Sequence, residues 1–383
     1  MIQTIGVIGG GQLGRMFTLD AKRMGFSIVT LDPQPHSPCG QVADEQIVAP
    51  YDDFSAIDEL GRRTEIVTYE FENIALASVE RLEKQGRQVT PSSHVLRVTQ
   101  DRMLEKRFLA DLRIAVAPFA EVAAERDLQA AGERIGYPAV LKTVRGGYDG
   151  KGQWRVGNAV QAQQAVRQAA GAQLIFERWM SLEREISVIC TRAATGDTMS
   201  YPAAENEHDR GILALSIVPA RVEPGIASRA QILTEEIAHA LRIVGTFCVE
   251  FFLSHEGELL VNEIAPRPHN SGHYTIDAAR CSQYEQHVRA LCGLPLSPPE
   301  LLRNAIMVNI LGTGTGNYLA GIDDLLADPS IVLHLYGKKH AVERRKMGHF
   351  TMLIQGPVTE QHVARARRAH ALLRWVAAPS VCA

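Results

Sequence analysis

The chain has no apolar run approaching the roughly 20 residues that a membrane-spanning helix needs. Cysteine is scarce, with six residues at positions 39, 190, 248, 281, 292 and 382, and no pair has CxxC spacing. A zinc ribbon and a thioredoxin-like motif are thereby excluded, and reduced, mostly buried thiols are expected. An excess of one charge is also missing: 40 basic and 43 acidic residues leave a net charge of −3. A nucleic-acid partner, which selects a basic surface, is not expected. The opening MIQTIGVIGG has no basic segment before its apolar stretch and reads as a first strand, not a signal peptide. The expected setting is the cytoplasm, with no membrane partner. Internal repeats and low-complexity segments are absent as well.

What is present is ordinary globular composition, 46% apolar and 22% charged over 383 residues, enough for two or three domains. Strand candidates at 4–9, 27–32, 46–49 and 65–70 alternate with helical patterning at 12–24, 53–60 and 75–85. That alternation predicts an α/β unit with a parallel sheet covered by helices on both faces. Helices are expected at 93–98, 101–112, 124–135, 158–170, 226–244 and 277–291. Strands are expected at 139–144 and 174–177, in mainly extended stretches from 184 to 264, and at 305–311, 331–336 and 350–355, before a basic C-terminal helix. The proline-rich segment 294–299 marks a boundary.

Residues 9–14, GGGQLG, satisfy G-x-G-x-x-G between a strand and a helix, and Asp32 ends the next strand. This is the context of a dinucleotide fingerprint, and it brings an NAD-linked oxidoreductase into consideration. The alternative is a tight turn at the edge of a substrate cleft, and nothing downstream offers a hydride-transfer partner.

A second glycine loop occupies residues 146–152, where four of seven residues are glycine. It lies between two strands, so it is not a Walker loop. Glycines let backbone N–H groups approach phosphate oxygens. Lys142 sits in the apolar strand before it, where an ammonium needs a partner, and a polyphosphate is a suitable one. The competing reading is a surface hairpin with an outward lysine.

The segments 246–253 and 258–264 flank a turn. A two-residue loop at 256–257 pairs His255 with Glu258 and sets Glu250 opposite Glu263. Two carboxylates about 5 Å apart repel by roughly 3 kcal/mol at an effective dielectric of 20. A shared proton or a divalent cation would offset this, and oxygen donors with Asn262 adjacent suit Mg2+. A one-residue slip would send one carboxylate to the other face.

Taken together, these features resemble the ATP-grasp superfamily. Within it, GGGQLGRM, TYEFEN, QDRMLEK, KTVRGGYDGKGQ, AENEHDRGIL, NEIAPRPHNSGH and LHLYGK…RRKMGH resemble the N5-carboxyaminoimidazole ribonucleotide synthetase family, across essentially the whole chain. One departure is Val144, where a basic residue is expected; it should weaken one peripheral contact. The resemblance implies an ATP-grasp fold of three parts: a pre-grasp βαβ domain at 1–98, an ATP-grasp domain at 99–298 with a small lid at about 118–180, and a small β-rich C-terminal domain at 299–383. It implies ATP, bicarbonate and 5-aminoimidazole ribonucleotide as substrates, Mg2+ as cofactor and a homodimer.

By motif, the resemblance places Arg102, Lys142, Gly147, Tyr148, Asp149, Gly150, Lys151, Gly152, Gln153, Glu177, Arg178, Trp179, Met180, Glu185, His208, Asn262 and Glu263 around ATP. Glu250 and Glu263 hold Mg2+. Glu72, Tyr148, Lys151, Arg267, His269, Asn270, Ser271, Lys338 and Arg345 face bicarbonate, carboxyphosphate or the ribonucleotide. Asp149, Arg267, His269 and Lys338 are the expected catalytic residues, with Asp149 the candidate to contact or deprotonate the amine; His269 is open between proton transfer and a structural role. Lys338, Arg345 and Lys346 form a basic cluster suited to a 5′-phosphate, which the loop at 9–14 would cap. The loop 148–153 has little intrinsic order and is expected to close over the triphosphate. Other ATP-grasp ligases, using formate or biotin, and a nucleotide-binding module without catalysis are the remaining alternatives.

Overall fold

The computed structural model describes residues 3–147 and 150–378. The first sheet has five parallel strands, with Thr4–Ile8 in the centre between Ser27–Leu31 and Ile66–Tyr69. Its strands are apolar on both faces, and Ile5, Val7, Ile8, Ile28 and Ile66 are buried. Helices must therefore cover both sides, as the βαβ alternation requires. The chain reverses direction across the sheet beside the central strand, which opens a crevice at its C-terminal end.

A second, four-stranded antiparallel sheet carries the hairpin Ala139–Thr143 and Gln153–Val156, with Leu174–Arg178 on its other side. Two helices pack on it, and the one expected at 124–135 is shorter: a 3-10 turn, Glu125–Asp127, precedes Leu128–Ile135.

The third sheet has nine strands and is antiparallel among its described pairs. It continues across residue 298, because Ile212–Val218 pairs with Asn304–Leu311. The proline-rich segment is thus a connection between strands of one sheet. Strand Leu259–Ala265 lies at the sheet's end and pairs with Gly245–Ser254.

The single helix expected at 277–291 is two pieces, Thr275–Ala278 and Gln283–Leu291. Ala279 is extended, and Ser282 caps the second piece by accepting from the Glu285 N–H at 2.9 Å. Helical periodicity does not reveal this break, because the capping serine is also a tolerable helix residue. The helix expected at 226–244 runs Pro224–Leu241 and stops where Arg242 turns left-handed at φ +53°. Among the described cysteines all five are free thiols, four of them buried; Cys382 lies outside the described residues. No helix among the described residues is long and apolar enough to cross a membrane.

Asp277, His334 and His349 join the long sheet to helix Thr275–Ala278. His334 Nε2 lies 3.0 Å from Asp277. The two imidazoles stack face to face, 17° from parallel with centroids 4.6 Å apart. The cluster is a joint between packed elements.

Candidate active site

The three sheets enclose a cleft of about 1220 Å3. Lining it are Glu72, Arg102, Lys142, Gly147, Gly150, Lys151, Gln153, Glu177, Arg178, Trp179, Met180, Glu185, His208, Glu250, Asn262, Glu263, Arg267, His269, Asn270, Lys338 and Arg345. Gly152 and Ser271 are outside the lining. The Gly152 carbonyl accepts from the Thr143 N–H at 2.9 Å, closing the hairpin. Ser271 is fully buried behind His269. Tyr148 and Asp149 lie outside the described residues.

Glu250 does pair with Glu263, but by a different route from the expected one. The turn has three residues, 255–257, with the Ser254 N–H donating to the Glu258 carbonyl at 2.9 Å. Leu253 therefore pairs with Leu259, one residue off the expected register. A β-bulge between the Phe251–Val261 and Glu250–Glu263 pairs takes up Asn262 and restores the alignment. The repulsion between the carboxylates is also relieved in a way not anticipated. His269 Nε2 lies 3.0 Å from Glu250, and an Arg102 guanidinium nitrogen lies 3.0 Å from Glu263. Burial works against the Glu250 charge, but the His269 contact outweighs it and brings the carboxyl down to about 2. Burial likewise disfavours charge on His269, yet its Cys248 and Glu250 neighbours raise it to about 10.

His269 is held from behind. Its Nδ1 lies 2.9 Å from Ser271 Oγ, and Ser271 lies 2.8 Å from Ser187 Oγ. The Asn206 amide reaches Ser187 at 2.8 Å and Ser216 at 2.7 Å. Both ring nitrogens are therefore engaged, which fixes the imidazole's orientation.

Lys142 is buried, and its partner is Glu177 at 2.8 Å, one strand away. The outward-lysine reading is excluded. Burial opposes charge on Glu177, but Lys142 and Lys106 hold it down to about 2. His208 meets Glu185 at 2.7 Å; burial lowers the imidazole, and Glu185 more than compensates. Arg178 donates to the Ile135 carbonyl at 3.0 Å, and the Arg155 guanidinium lies over the Trp179 ring at 4.3 Å. Val144 is buried with Met103 and Ile175. Its position belongs to the packing beneath the loop, so a basic residue there would not be peripheral.

At the other end of the cleft, Arg267 faces Glu72 through two donors, at 2.6 and 3.1 Å. Lys338 donates to Gln12 at 2.8 Å and to the Lys346 carbonyl at 2.6 Å, joining the C-terminal basic cluster to the first glycine loop. That loop does not hold its amides open. Glu70 accepts from the N–H groups of Gly11 and Gly14, the latter at 2.7 Å, and Asp32 accepts from the Gly10 N–H at 2.7 Å. A dinucleotide pyrophosphate would need the place that the Glu70 carboxylate takes. Sequence reasoning missed Glu70, which stands within the quoted TYEFEN segment, and also Glu105 and Lys106, within QDRMLEK.

Comparison with known proteins agrees with this arrangement. Residues 2–100 match the ribonucleotide synthetase preATP-grasp domain, 107–284 the ATP-grasp domain and 305–357 the phosphoribosylaminoimidazole carboxylase C-terminal domain. The chain is 46% identical to the N5-carboxyaminoimidazole ribonucleotide synthase of Bacillus subtilis (strain 168) over 351 residues, 92% of this chain and 91% of that one. It is 43% identical to the same enzyme of Brucella melitensis over 352 residues, 91% of this chain and 96% of that one. A solved ADP complex of an N5-carboxyaminoimidazole ribonucleotide synthetase superposes with a TM-score of 0.89 at 44% identity, covering 96% of both chains. The Aspergillus clavatus enzyme in complex with ADP and 5-aminoimidazole ribonucleotide superposes with a TM-score of 0.88 at 30% identity, covering 96% of this chain and 98% of that one. The chain belongs to the N5-carboxyaminoimidazole ribonucleotide synthase family.

Proposed function

We propose that the chain is an ATP-dependent carbon–nitrogen ligase of purine biosynthesis. It carboxylates 5-aminoimidazole ribonucleotide with bicarbonate, giving N5-carboxyaminoimidazole ribonucleotide, ADP and phosphate. The observation that carries the reading is the single cleft in which Lys142, the glycine hairpin and the Glu250–Glu263 pair share space with Arg267, Lys338 and the first glycine loop. One end suits a triphosphate and the other a phosphorylated ribonucleotide. The family membership supports the same reaction.

Bicarbonate is a poor electrophile. An oxygen of bicarbonate attacks the γ-phosphorus, the bond to ADP breaks, and carboxyphosphate forms. Its C–O bond then breaks to give CO2 and phosphate. The exocyclic amine attacks the CO2 carbon and loses a proton, leaving the carbamate. Phosphoryl transfer asks chiefly for positioning and charge neutralisation. Arg102, Lys142 and Lys151 supply positive charge around the phosphates. Residues 177–180, with Glu185 and His208, line the nucleotide end. Glu250 and Glu263, paired across the hairpin and both lining the cleft with Asn262 between the pairs, offer oxygen donors that fit a hard divalent cation and would hold Mg2+. When bound, that ion neutralises phosphate charge.

Arg267, whose Nε and Nη2 donate to Glu72 and whose Nη1 donates to the Pro268 carbonyl, sets a fixed positive charge beside the carboxylate or phosphate being transferred. His269 orients Glu250 rather than moving a proton, since both its nitrogens are occupied. Asn270 and Ser271 support that corner, and Lys338 and Arg345 bind the 5′-phosphate. Asp149 contacts or deprotonates the amine, with Tyr148 beside it in the loop; Asp149→Asn should lose turnover of the ribonucleotide while keeping ATP binding.

The first part ends near residue 98 and a lid covers about 118–180; the third part, from about residue 299, shares its sheet with the second. We place the enzyme in the cytoplasm as a homodimer, which sedimentation at micromolar concentration checks. The decisive assay is ADP release with bicarbonate, with and without the aminoimidazole ribonucleotide. Strong stimulation by the ribonucleotide is expected. Stimulation by formate with glycinamide ribonucleotide, or by biotin, would assign the chain another carbon acceptor.

A further inference from the structure

Helix Arg102–Asp111 reads the strand Leu259–Ala265 along one of its own faces. Positions i, i+3 and i+4 share that face, and here they are Arg102, Glu105 and Lys106. Arg102 pairs with the Glu263 carboxylate. Glu105 accepts from the Ile264 N–H at 3.0 Å. Lys106 donates to the Asn262 carbonyl at 2.9 Å and the Val261 carbonyl at 3.3 Å. In a regular strand successive carbonyls point to opposite edges, so one ammonium reaching two of them in sequence marks an irregular backbone. The irregularity is the bulge at Asn262.

That bulge decides which side chain faces Glu250. From the Phe251–Val261 pair, an unbulged strand would set Asn262 opposite Glu250. Glu263 would then stand opposite Val249, on the other face of the sheet. The turn alone therefore gives the wrong carboxylate partner, and the extra residue corrects it. The strand lies at the sheet's end, where outward backbone groups need partners from elsewhere. The Ala115 carbonyl accepts from the Val261 N–H at 2.8 Å. Lys106 and Glu105, both almost completely buried, meet the Val261 and Asn262 carbonyls and the Ile264 N–H.

We propose that Lys106, assisted by Glu105, is a positioning residue that locks the β-bulge at Asn262 and so holds Glu263 across from Glu250 for divalent-cation binding. The inference rests on the metal-site reading given above for those two carboxylates. It concerns the backbone of residues 261–264, and can be read without turnover.

The test compares Lys106→Met, which keeps the buried stem and removes the donor, with Glu263→Gln, which removes a carboxylate and leaves the backbone partners in place. Mn2+ binding in the presence of ADP is followed by electron paramagnetic resonance, and hydrogen exchange is followed at the amides of residues 259–265. Lys106→Met is expected to weaken Mn2+ binding about tenfold or more, a loss typical of groups that orient metal ligands. The same variant should speed exchange across 259–265, whereas Glu263→Gln should weaken Mn2+ and leave exchange near wild type. Unchanged exchange in Lys106→Met overturns the proposal. Faster exchange with unchanged Mn2+ affinity also overturns it if Glu263→Gln does weaken Mn2+. If Glu263→Gln binds Mn2+ normally, the metal reading fails by itself, and the bulge lock stands or falls on exchange. Should Lys106→Met not fold, Lys106→Gln, with one shorter donor, is expected to show both effects at smaller size, and wild-type behaviour in it overturns the lock.

Discussion

At residues 9–14 and 146–152 the chain carries two glycine-rich loops, and beside each stands a buried glutamate. At the first loop Glu70 is held by the Gly11 and Gly14 amides. Burial raises its carboxyl above the ordinary value, with those amides opposing. At the second loop Glu177 is held by a lysine, and its carboxyl falls to about 2. The first loop gives its Gly10, Gly11 and Gly14 amides to carboxylates of the protein. The second lies along the cleft beside a cation, with room for a polyphosphate. Glycine spacing thus sets what backbone is possible, and the groups that reach its amides decide what binds.

The widest separation between the loops should appear in turnover. Lys142→Met is expected to lower kcat/KM for ATP by roughly a hundred- to a thousandfold, the scale of removing one group that stabilises developing charge. Glu70→Gln should leave the KM for ATP within about twofold. An ADP-release assay across ATP concentrations checks both, and equal losses would erase the distinction between the two loops.

Next in size is stability. Glu70→Ala leaves the part-buried Gly11 and the buried Gly14 N–H donors without their acceptor and should cost about 2 kcal/mol in urea unfolding. The same variant should still show no NADH fluorescence change. Gain of tight NADH binding would mean the first loop is a dinucleotide site blocked only by its glutamate.

The two glutamates also predict opposite pH behaviour. A carboxyl lowered in the folded state adds stability above its ordinary value, and that contribution disappears as the pH falls through the folded one. Glu177 and Glu250 both act in this way between 4.5 and about 2. A raised carboxyl stabilises the fold below its ordinary value and loses that contribution as the pH rises through the folded one. Glu70 acts so from 4.5 upward, and Glu105, raised mainly by burial to about 8, acts so between 4.5 and 8. Glu177→Gln should flatten the acid limb of stability against pH, and Glu70→Gln the limb above 4.5. Denaturant midpoints measured from pH 3 to pH 9 distinguish them.

The smallest effect is dynamic. Saturating Mg-ATP should slow hydrogen exchange at residues 150–153 by about tenfold and at residues 10–14 by less than about twofold. Slowing confined to 10–14 would reverse the assignment of nucleotide and ribonucleotide ends.

Much of the site was visible in the sequence because each piece is local. Lys142 stands in a strand before a glycine loop, and Glu250 and Glu263 stand in one hairpin. The pairing of those acids was foreseen through the wrong turn. The error of one residue at the turn was cancelled by a bulge that no local pattern announces. Glu105 and Lys106 were legible as charges on the apolar face of a helix, i+3 and i+4 from Arg102, yet their partners lie about 155 residues away. Glu70 looked like the end of a strand, and only the fold brings it to the first loop.

Composition and periodicity alone determined most of the strands and helices, the order of the units and the types of chemistry at hand, because these depend on neighbours within a few positions. The tertiary structure decided which amides stay open, which acids face each other and which cation answers each carboxylate. Those outcomes depend on sheet register and on side chains arriving from distant segments. A one-residue change in register turns a side chain to the opposite face, and no pattern within a single strand records it.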